Sequence, residues 1–203
     1  MTARRLVLAS TSRYRRELLE RLRLPFDVVA PGVDEEALPG ETPAETAIRL
    51  ALAKADAVAA TDGEAVVIGS DQIADLDGRG LGKPGDHARA TAQLASMRGR
   101  TVVFHTAVAV VCTAVGVRVA EIVPVAVRFR DLSDAEIERY LRAETPYDCA
   151  GSAKIETLGI ALVERVASDD PTALVGLPLI RTCALLRLAG IDPLGATTAG
   201  STP

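Results

Sequence analysis

Residues 65–84 read AVVIGSDQIADLDGRGLGKP, and the fold follows from how this stretch is parsed. Ala65 to Gly69 is a run of small and apolar residues, the pattern of a buried strand. Ser70-Asp71-Gln72 breaks it with polar groups, and Ile73 to Leu76 resumes it. Asp77-Gly78 is a strong hairpin signal, because both residue types tolerate positive φ. The chain then returns through Leu81-Gly82-Lys83-Pro84.

Upstream, Leu6 to Ala9 reads as a short buried strand, followed by a polar turn, Ser10-Thr11-Ser12-Arg13-Tyr14. Arg15 to Leu22 carries Leu18, Leu19 and Leu22 at helical spacing and ends before Pro25. Phe26 to Ala30 is a second strand. Thr42-Pro43-Ala44-Glu45 opens a helix: Thr42 caps, Pro43 suits the first position and Glu45 completes a capping box. Ile48, Leu52, Ala55 and Ala59 give that helix an apolar face.

Downstream, Asp86 to Met97 is helical and Gly99 closes it. Two long β-rich runs follow, Thr101 to Cys112 and Val117 to Phe129, with a turn at Gly116. Ser133-Asp134-Ala135-Glu136 is a second capping box, opening a helix to about Arg142. Ile160 to Val166 reads as a strand, Leu179 to Leu188 as a helix, and Gly195 to Pro203 as a disordered tail. No internal repeat interrupts residues 1–194, which read as one domain. Strand–helix units mixed with hairpins predict an α/β fold around a mixed sheet.

The composition is globular: 203 residues, 48% hydrophobic and 25% charged. With no Trp, three Tyr and three Phe, Ala, Val and Leu must fill the core, so an aromatic outside it calls for a reason. A net charge of −4 argues against a nucleic-acid polymer as partner, but leaves room for a local basic pocket that takes a nucleotide. No apolar run is long enough to span a membrane. The start of the chain is too short in apolar residues for a signal peptide, and the cytoplasm is the expected location. Cys112, Cys149 and Cys183 fit no metal or redox spacing and read as reduced structural residues.

Several residues invite chemistry. Arg15 and Arg16 fall in the first turn of a helix, where the dipole disfavours cations. A bound phosphate reverses that cost, because backbone N–H groups and guanidinium forks then both face an anion. The alternative is that both point to water. Asp71 follows a buried strand, a position that often borders a ligand crevice in α/β sheets. A two-residue turn at Asp77-Gly78 pairs Leu76 with Arg79, Gln72 with Lys83 and Asp71 with Pro84. Asp71 and Lys83 are then neighbours, although strict alternation sends their side chains to opposite faces. A surface ion pair is the other reading. Asp34-Glu35-Glu36 is an acidic loop that suits Mg²⁺ or Mn²⁺, or simply water. His87, on a helix surface, and His105, near the sheet, match no zinc pattern. There is no P-loop and no GxSxG.

Taken together, LVLASTSRYRRELLERL, APGVDE, IRLALAKA, VIGSDQIADLDGRGLGKP, FHTAVAV, YDCAGSAKIETLGIALVERV and DDPTALVGLPL resemble the Maf family of nucleoside triphosphate pyrophosphatases. Their order and spacing carry the resemblance, up to about Leu194. It implies an elongated, bent mixed sheet flanked by helices, ITPase-like, with a substrate cleft between two lobes. It implies Asp71 as the acid–base carboxylate, with Lys83, Glu35 and Lys54 beside it in catalysis. Ser10, Ser12 and Arg15 fall to triphosphate binding, and Glu35 with Asp71 to a divalent cation, Mg, Mn or Co. Residue pattern alone would leave Lys54 on a solvated helix face. The family often forms homodimers.

Within the family, Arg13-Tyr14-Arg15, Asp71-Gln72, Glu156 and CAGS at Cys149–Ser152 resemble the 7-methyl-GTP pyrophosphatase subgroup. That subgroup usually has Trp at the place of Tyr14. The chemistry agrees. N7-methylation leaves guanine positively charged, and an aromatic face attracts a cation. Guanine's N1–H and exocyclic amine are adjacent donors that one ionised Glu156 can accept. Tyr14, Gln72 and Glu156 are therefore the expected base-reading residues. The rivals are a Maf pyrophosphatase for dTTP and UTP, which Arg at 14 and Thr at 72 would favour, and a nucleotide-binding regulator of septum formation.

Overall fold

A computed structural model describes residues 4–195; the expected tail therefore lies outside the described residues, except for Gly195. Among these residues seven strands form one open sheet: β1 (Leu6–Ala9), β2 (Asp27–Val29), β3 (Val66–Leu76), β4 (Arg79–Leu81), β5 (Thr101–Cys112), β6 (Val117–Phe129) and β7 (Val163–Ala167). Five α-helices flank it: α1 (Arg13–Glu20), α2 (Pro43–Ala59), α3 (His87–Met97), α4 (Asp134–Glu144) and α5 (Leu179–Leu188). The order across the sheet is β2-β1-β3-β5-β6-β7, with β4 paired to β3. β1 runs parallel to both β2 and β3, and every later pairing is antiparallel. This is the mixed sheet expected from strand–helix units followed by hairpins.

Side-chain alternation builds two of the three apolar clusters. Leu6, Leu8, Val66, Ile68, Val108 and Val110 face α1 and α5 on one side of the sheet. Val7, Ala9, Val67, Ala107, Ala109 and Val111 face α2 on the other. Burial on both faces is why this end of β3 reads as a continuous apolar run. The third cluster packs α3 and α4 around Ala74, Phe104, Val125 and Val127, near the far end of β3. β3 and β5 thus run from one core into the other, and polar residues of β3 lie between the two.

The α2–β3 contact is unusually close. Ala47, Ala51 and Ala55 are fully buried against the strand. A Cβ built on Gly69 would overlap the Ala51 carbonyl oxygen and come within 2.7 Å of the Ala55 amide nitrogen. Only glycine lets helix and strand approach this far. The approach brings the next helical position before Ala55, Lys54, down to the sheet.

Four expectations need correction. α1 starts at Arg13, two residues early, because the Ser12 hydroxyl caps it by accepting from the Arg15 amide. β3 passes unbroken through Ser70-Asp71-Gln72, since β5 pairs with all three, Asp71 opposite Ala107. The hairpin turns at Asp77 and Gly78, both at positive φ, and pairs Leu76 with Arg79 as expected. The ladder stops at Ala74–Leu81, so Gln72–Lys83 and Asp71–Pro84 do not pair. Pro84 has no N–H to extend it. Finally, Leu158–Leu162 is a 3₁₀ turn, and β7 begins only at Val163.

Gly69→Ala should destabilise the protein by about 1–3 kcal/mol, the cost of forcing an extra methyl into a packed contact. Urea unfolding measures it. A variant as stable as the wild type would show that α2 can move off the sheet without cost.

Candidate active site

A cleft of about 690 Å³ opens where the two cores meet, and Ser10, Ser12, Tyr14, Arg15, Glu35, Lys54, Asp71, Gln72, Lys83 and Glu156 all line it. The fold therefore gathers every residue that the family resemblance implies for the site, from segments as far apart as the turn after the first strand and the 3₁₀ turns after α4.

At its centre is a buried ion cluster. Lys54 Nζ lies 2.7 Å from Asp71 Oδ1 and 2.5 Å from Glu35 Oε1. Lys54 is 3% exposed and Asp71 7%, while Glu35 opens to the cleft. Burial pushes the Glu35 carboxyl up, but the hydrogen bond and charge of Lys54 outweigh it. With Lys83 and Arg15 nearby, the net shift is below the ordinary carboxylate range. Lys54 is thus no solvated face residue. Its place over Gly69 turns a helix surface position into a buried cation.

The Glu35 loop is tied to the same helix that carries Lys54. Glu41 accepts from Arg49 Nε at 2.5 Å, Arg49 Nη2 at 2.8 Å, the Leu38 amide at 2.9 Å and Thr46 Oγ1 at 3.0 Å. Arg49 Nη2 also donates to the Glu36 carbonyl at 2.9 Å. Neither Arg49 nor Glu41 is legible as a site residue in the sequence, because their role is to hold a loop.

The two arginines of α1 part company. Arg16 bonds Glu20 at 3.0 Å in solvent. Arg15 turns inward, donating Nε to the Gly176 carbonyl at 2.9 Å. Burial lowers its guanidinium pKa, and the charges of Asp71 and Glu35 oppose that. Ser10 Oγ accepts from the Ser12 amide at 3.0 Å, which shapes the turn entering α1. Arg15, Lys54 and Lys83 make this end of the cleft cationic.

Gln72 is more constrained than a free base-reading residue. Its amide nitrogen lies 2.8 Å from Thr106 Oγ1 and 3.0 Å from the carbonyls of Ala173 and Leu174. Those contacts pin the 172–176 segment, whose carbonyl at Gly176 also receives Arg15. Asp170, 2% exposed, fixes the same segment: its oxygens accept from the Thr172 hydroxyl at 2.7 Å and the Ile180 amide at 2.7 Å. Thr106 and Asp170 are positioning residues that the sequence reading did not identify; the DDPT turn was the available signal.

The other end of the cleft is acidic and aromatic. Tyr14 is half-buried, and its hydroxyl accepts from Arg13 Nη2 at 2.9 Å and donates to Asp148 Oδ2 at 3.3 Å. Arg13 Cζ stands 4.7 Å and Lys154 Nζ 5.7 Å from the ring centroid, so the ring already attracts cations. Glu156 is open to the cleft. Burial of its surroundings, with Glu144 and Asp148 adding repulsion, pushes its carboxyl up against the pull of its own backbone amide and Lys154. Asp148, absent from the sequence reading, is a second carboxylate on this wall. Cys149 also lines the cleft, beside Tyr14 rather than in a core; burial pushes its thiol up to about 12, so it stays protonated. Cys112, Cys149 and Cys183 are all free thiols. His87 bonds Tyr147 and Glu138, and His105 bonds Asp75; neither lines the cleft.

The sequence-family model described as Maf-like protein matches residues 5–189. The chain belongs to the Maf family. A Maf relative from Albidiferax ferrireducens, named 7-methyl-GTP pyrophosphatase, is 65% identical over 193 residues, covering 95% of this chain and 97% of the relative. Relatives with the same name come from Polaromonas sp., 66% identical over 190 residues (94% and 87% covered), and Thiobacillus denitrificans, 58% identical over 193 residues (95% and 96% covered). Among the described residues no helix is long and apolar enough to cross a membrane.

The loop tether of this Maf protein makes its stability depend on acid. Hydrogen bonds from Arg49, then from the Leu38 amide, hold the Glu41 carboxyl at about 2, below its ordinary 4.5. A depressed folded value means that the stabilisation is full above pH 4.5 and is lost as the pH falls towards 2. Glu41→Gln should flatten that part of the stability curve, measured by thermal melts at stepped pH. An unchanged slope would remove Glu41 from the tether.

Proposed function

We propose that this protein hydrolyses 7-methyl-GTP to 7-methyl-GMP and pyrophosphate. The observation that carries this reading is the polarity of one cleft: Arg15, Lys54 and Lys83 at one end, Tyr14, Asp148 and Glu156 at the other, and Asp71 in the wall. A nucleotide with a cationic base and a polyanionic tail has the complementary dipole. Three relatives of near-equal length bear the name of this activity. A pyrimidine offers no ring cation for the acidic end, and Tyr14 and Gln72 stand where the pyrimidine reading calls for Arg and Thr.

In the proposed reaction a water oxygen bonds to the α-phosphorus as the α–β phosphoanhydride bond breaks. Pyrophosphate leaves with the bonding electrons. Asp71 accepts the proton of the attacking water. Lys54 has three ammonium donors, of which two meet Asp71 and Glu35, leaving one for a phosphate oxygen. Arg15 and Lys83 offset the charge that gathers on the departing phosphates. Attack at the α-phosphorus follows from the family resemblance.

Glu35 and Asp71 fit a divalent cation. Lys54 engages one oxygen of each carboxylate, Glu35 Oε1 and Asp71 Oδ1, so the second oxygen of each would hold the ion beside Lys54, and one or two carboxylates plus substrate phosphate form a usual donor set for Mg²⁺ or Mn²⁺. Among the described residues no group of three or more His, Cys, Asp or Glu side chains could hold a metal ion, so the triphosphate would complete the coordination. A bound divalent ion, Mg, Mn or Co, supplies neutralisation of the triphosphate charge.

Two results test the machinery. Asp71→Asn should lower kcat by about 10²–10⁴ with substrate still bound, as loss of a general base requires. Glu35→Gln should raise the divalent-ion concentration needed for half activity. Normal turnover in Asp71→Asn, or full activity of the wild type in EDTA, overturns the corresponding role.

The substrate is tested by kcat/KM for 7-methyl-GTP, GTP, dTTP and UTP. The methylated nucleotide should lead and the pyrimidines trail. Tyr14→Ala should cost 7-methyl-GTP about 0.5–2 kcal/mol more than GTP, the range of a cation–π contact. Glu156→Gln should weaken both guanines by about 1–3 kcal/mol, since one guanine donor is left opposite an amine. A preference for pyrimidines would sink the assignment.

A further inference from the structure

Lys154 has no part in the chemistry above, yet it is a buried cation, 8% exposed, behind Tyr14, which lines the cleft. Keeping an ammonium out of water has a desolvation cost that a paired carboxylate must offset. Its partner is Glu144 on α4, with Nζ 3.3 Å from Oε1. Glu144 is itself held, since Oε2 accepts from the Leu158 amide at 3.3 Å.

The backbone of Lys154 is pinned as firmly. Its amide donates to the Tyr140 hydroxyl at 2.9 Å. Gly159 packs so close that a Cβ there would overlap the Lys154 carbonyl oxygen. The held backbone and the Glu144 ion pair set where the ammonium lies. Its Nζ is 5.7 Å from the Tyr14 ring centroid, and two residues further along the chain stands Glu156.

We propose that Lys154 is a positioning residue for base selection: its ammonium, anchored on Glu144, holds the Tyr14 ring and balances the carboxylates that surround Glu156. The inference rests on the 7-methyl-GTP reading. The groups around Glu156 are Lys154, Glu144 and Tyr140 from α4, and Asp148 and Cys149 from the loop after it. Burial pushes the Glu156 carboxyl up, and Glu144 and Asp148 push it further; its own backbone amide and then the Lys154 charge pull it down. Protonated Glu156 would present an O–H to guanine's two donors and lose one acceptor. Lys154 thus steadies the Tyr14 ring across 5.7 Å and adds its charge on the side of ionised Glu156.

The test is kcat and KM for 7-methyl-GTP and GTP, across pH, on wild type, Lys154→Met, Lys154→Arg and the double variant Lys154→Met with Glu144→Gln. In Lys154→Met, KM for 7-methyl-GTP should rise about three- to thirtyfold, more than KM for GTP, with kcat little changed, the signature of lost binding rather than lost chemistry. The acid limb of kcat/KM should move to higher pH, because one of the two groups that lower Glu156 is gone. Lys154→Arg should restore most of the selectivity. The double variant leaves no unpaired carboxylate behind and should still lose selectivity. Wild-type selectivity in the double variant would mean that Lys154 only neutralises Glu144, and would overturn the proposal. Equal losses for both guanines, a fall in kcat alone, an unmoved acid limb or an Arg variant as poor as Met would also overturn it. A wild type that does not prefer 7-methyl-GTP overturns the parent reading and this inference with it. A wild-type preference that survives Lys154→Met overturns this inference alone.

Discussion

The bridge from Lys54 to Asp71 and Glu35 is the constraint on which the rest of the structure depends. A buried ammonium between two carboxylates is tolerable only if the partners stay within hydrogen-bonding distance, because losing either leaves a charge poorly compensated. Three separate pieces of architecture serve that distance. Gly69 lets α2 descend onto β3, so Lys54 reaches the strand. β5 pairs with β3 on both sides of Asp71, so the carboxylate has a fixed base. Glu41 and Arg49 tie the Glu35 loop back to α2. The two cores hold these pieces from opposite ends, and the cleft is the gap left where neither closes over the polar residues.

The Arg15 side of the cleft is built from equally few parts. The Gly176 carbonyl receives Arg15 Nε and lies 3.0 Å from Ser70 Oγ, so α1, β3 and the segment before α5 meet at one acceptor. Gln72 holds the neighbouring carbonyls of that segment. A change at Gln72 would therefore disturb the segment that holds Arg15. Residues 70–72 work as one unit: Ser70 and Gln72 brace the 172–176 segment from one face of the strand, and Asp71 meets Lys54 of α2 on the other.

The same physics sorts what could and could not be read from the chain. The capping boxes at Thr42 and Ser133, the Asp77-Gly78 turn and the two long β-rich runs are local signals, and the structure carries each where the pattern placed it. Errors fell where tertiary pairing overrides local pattern. Ser70-Asp71-Gln72 looked like a break because polar residues are unwelcome in a buried strand, yet β5 and the 172–176 segment satisfy them. Residues 160–162, expected to open the Ile160–Val166 strand, belong to a 3₁₀ turn.

By itself the sequence determined the order of elements, the mixed character of the sheet and, through the family resemblance, which side chains meet in the cleft. Tertiary structure alone decided what each of those side chains is doing. Lys54 reads as an ordinary helix-face lysine until packing buries it against Asp71 and Glu35, and Lys154 carries no local signal of its burial against Glu144 and Tyr14. Arg15 and Arg16 are adjacent and identical in kind, and only the helix's rotation against the sheet sends one inward to Gly176 and the other to water. Charge and hydrogen-bonding capacity are properties of a residue; burial and the distance to a partner are properties of the fold, and those set how strongly a charge acts.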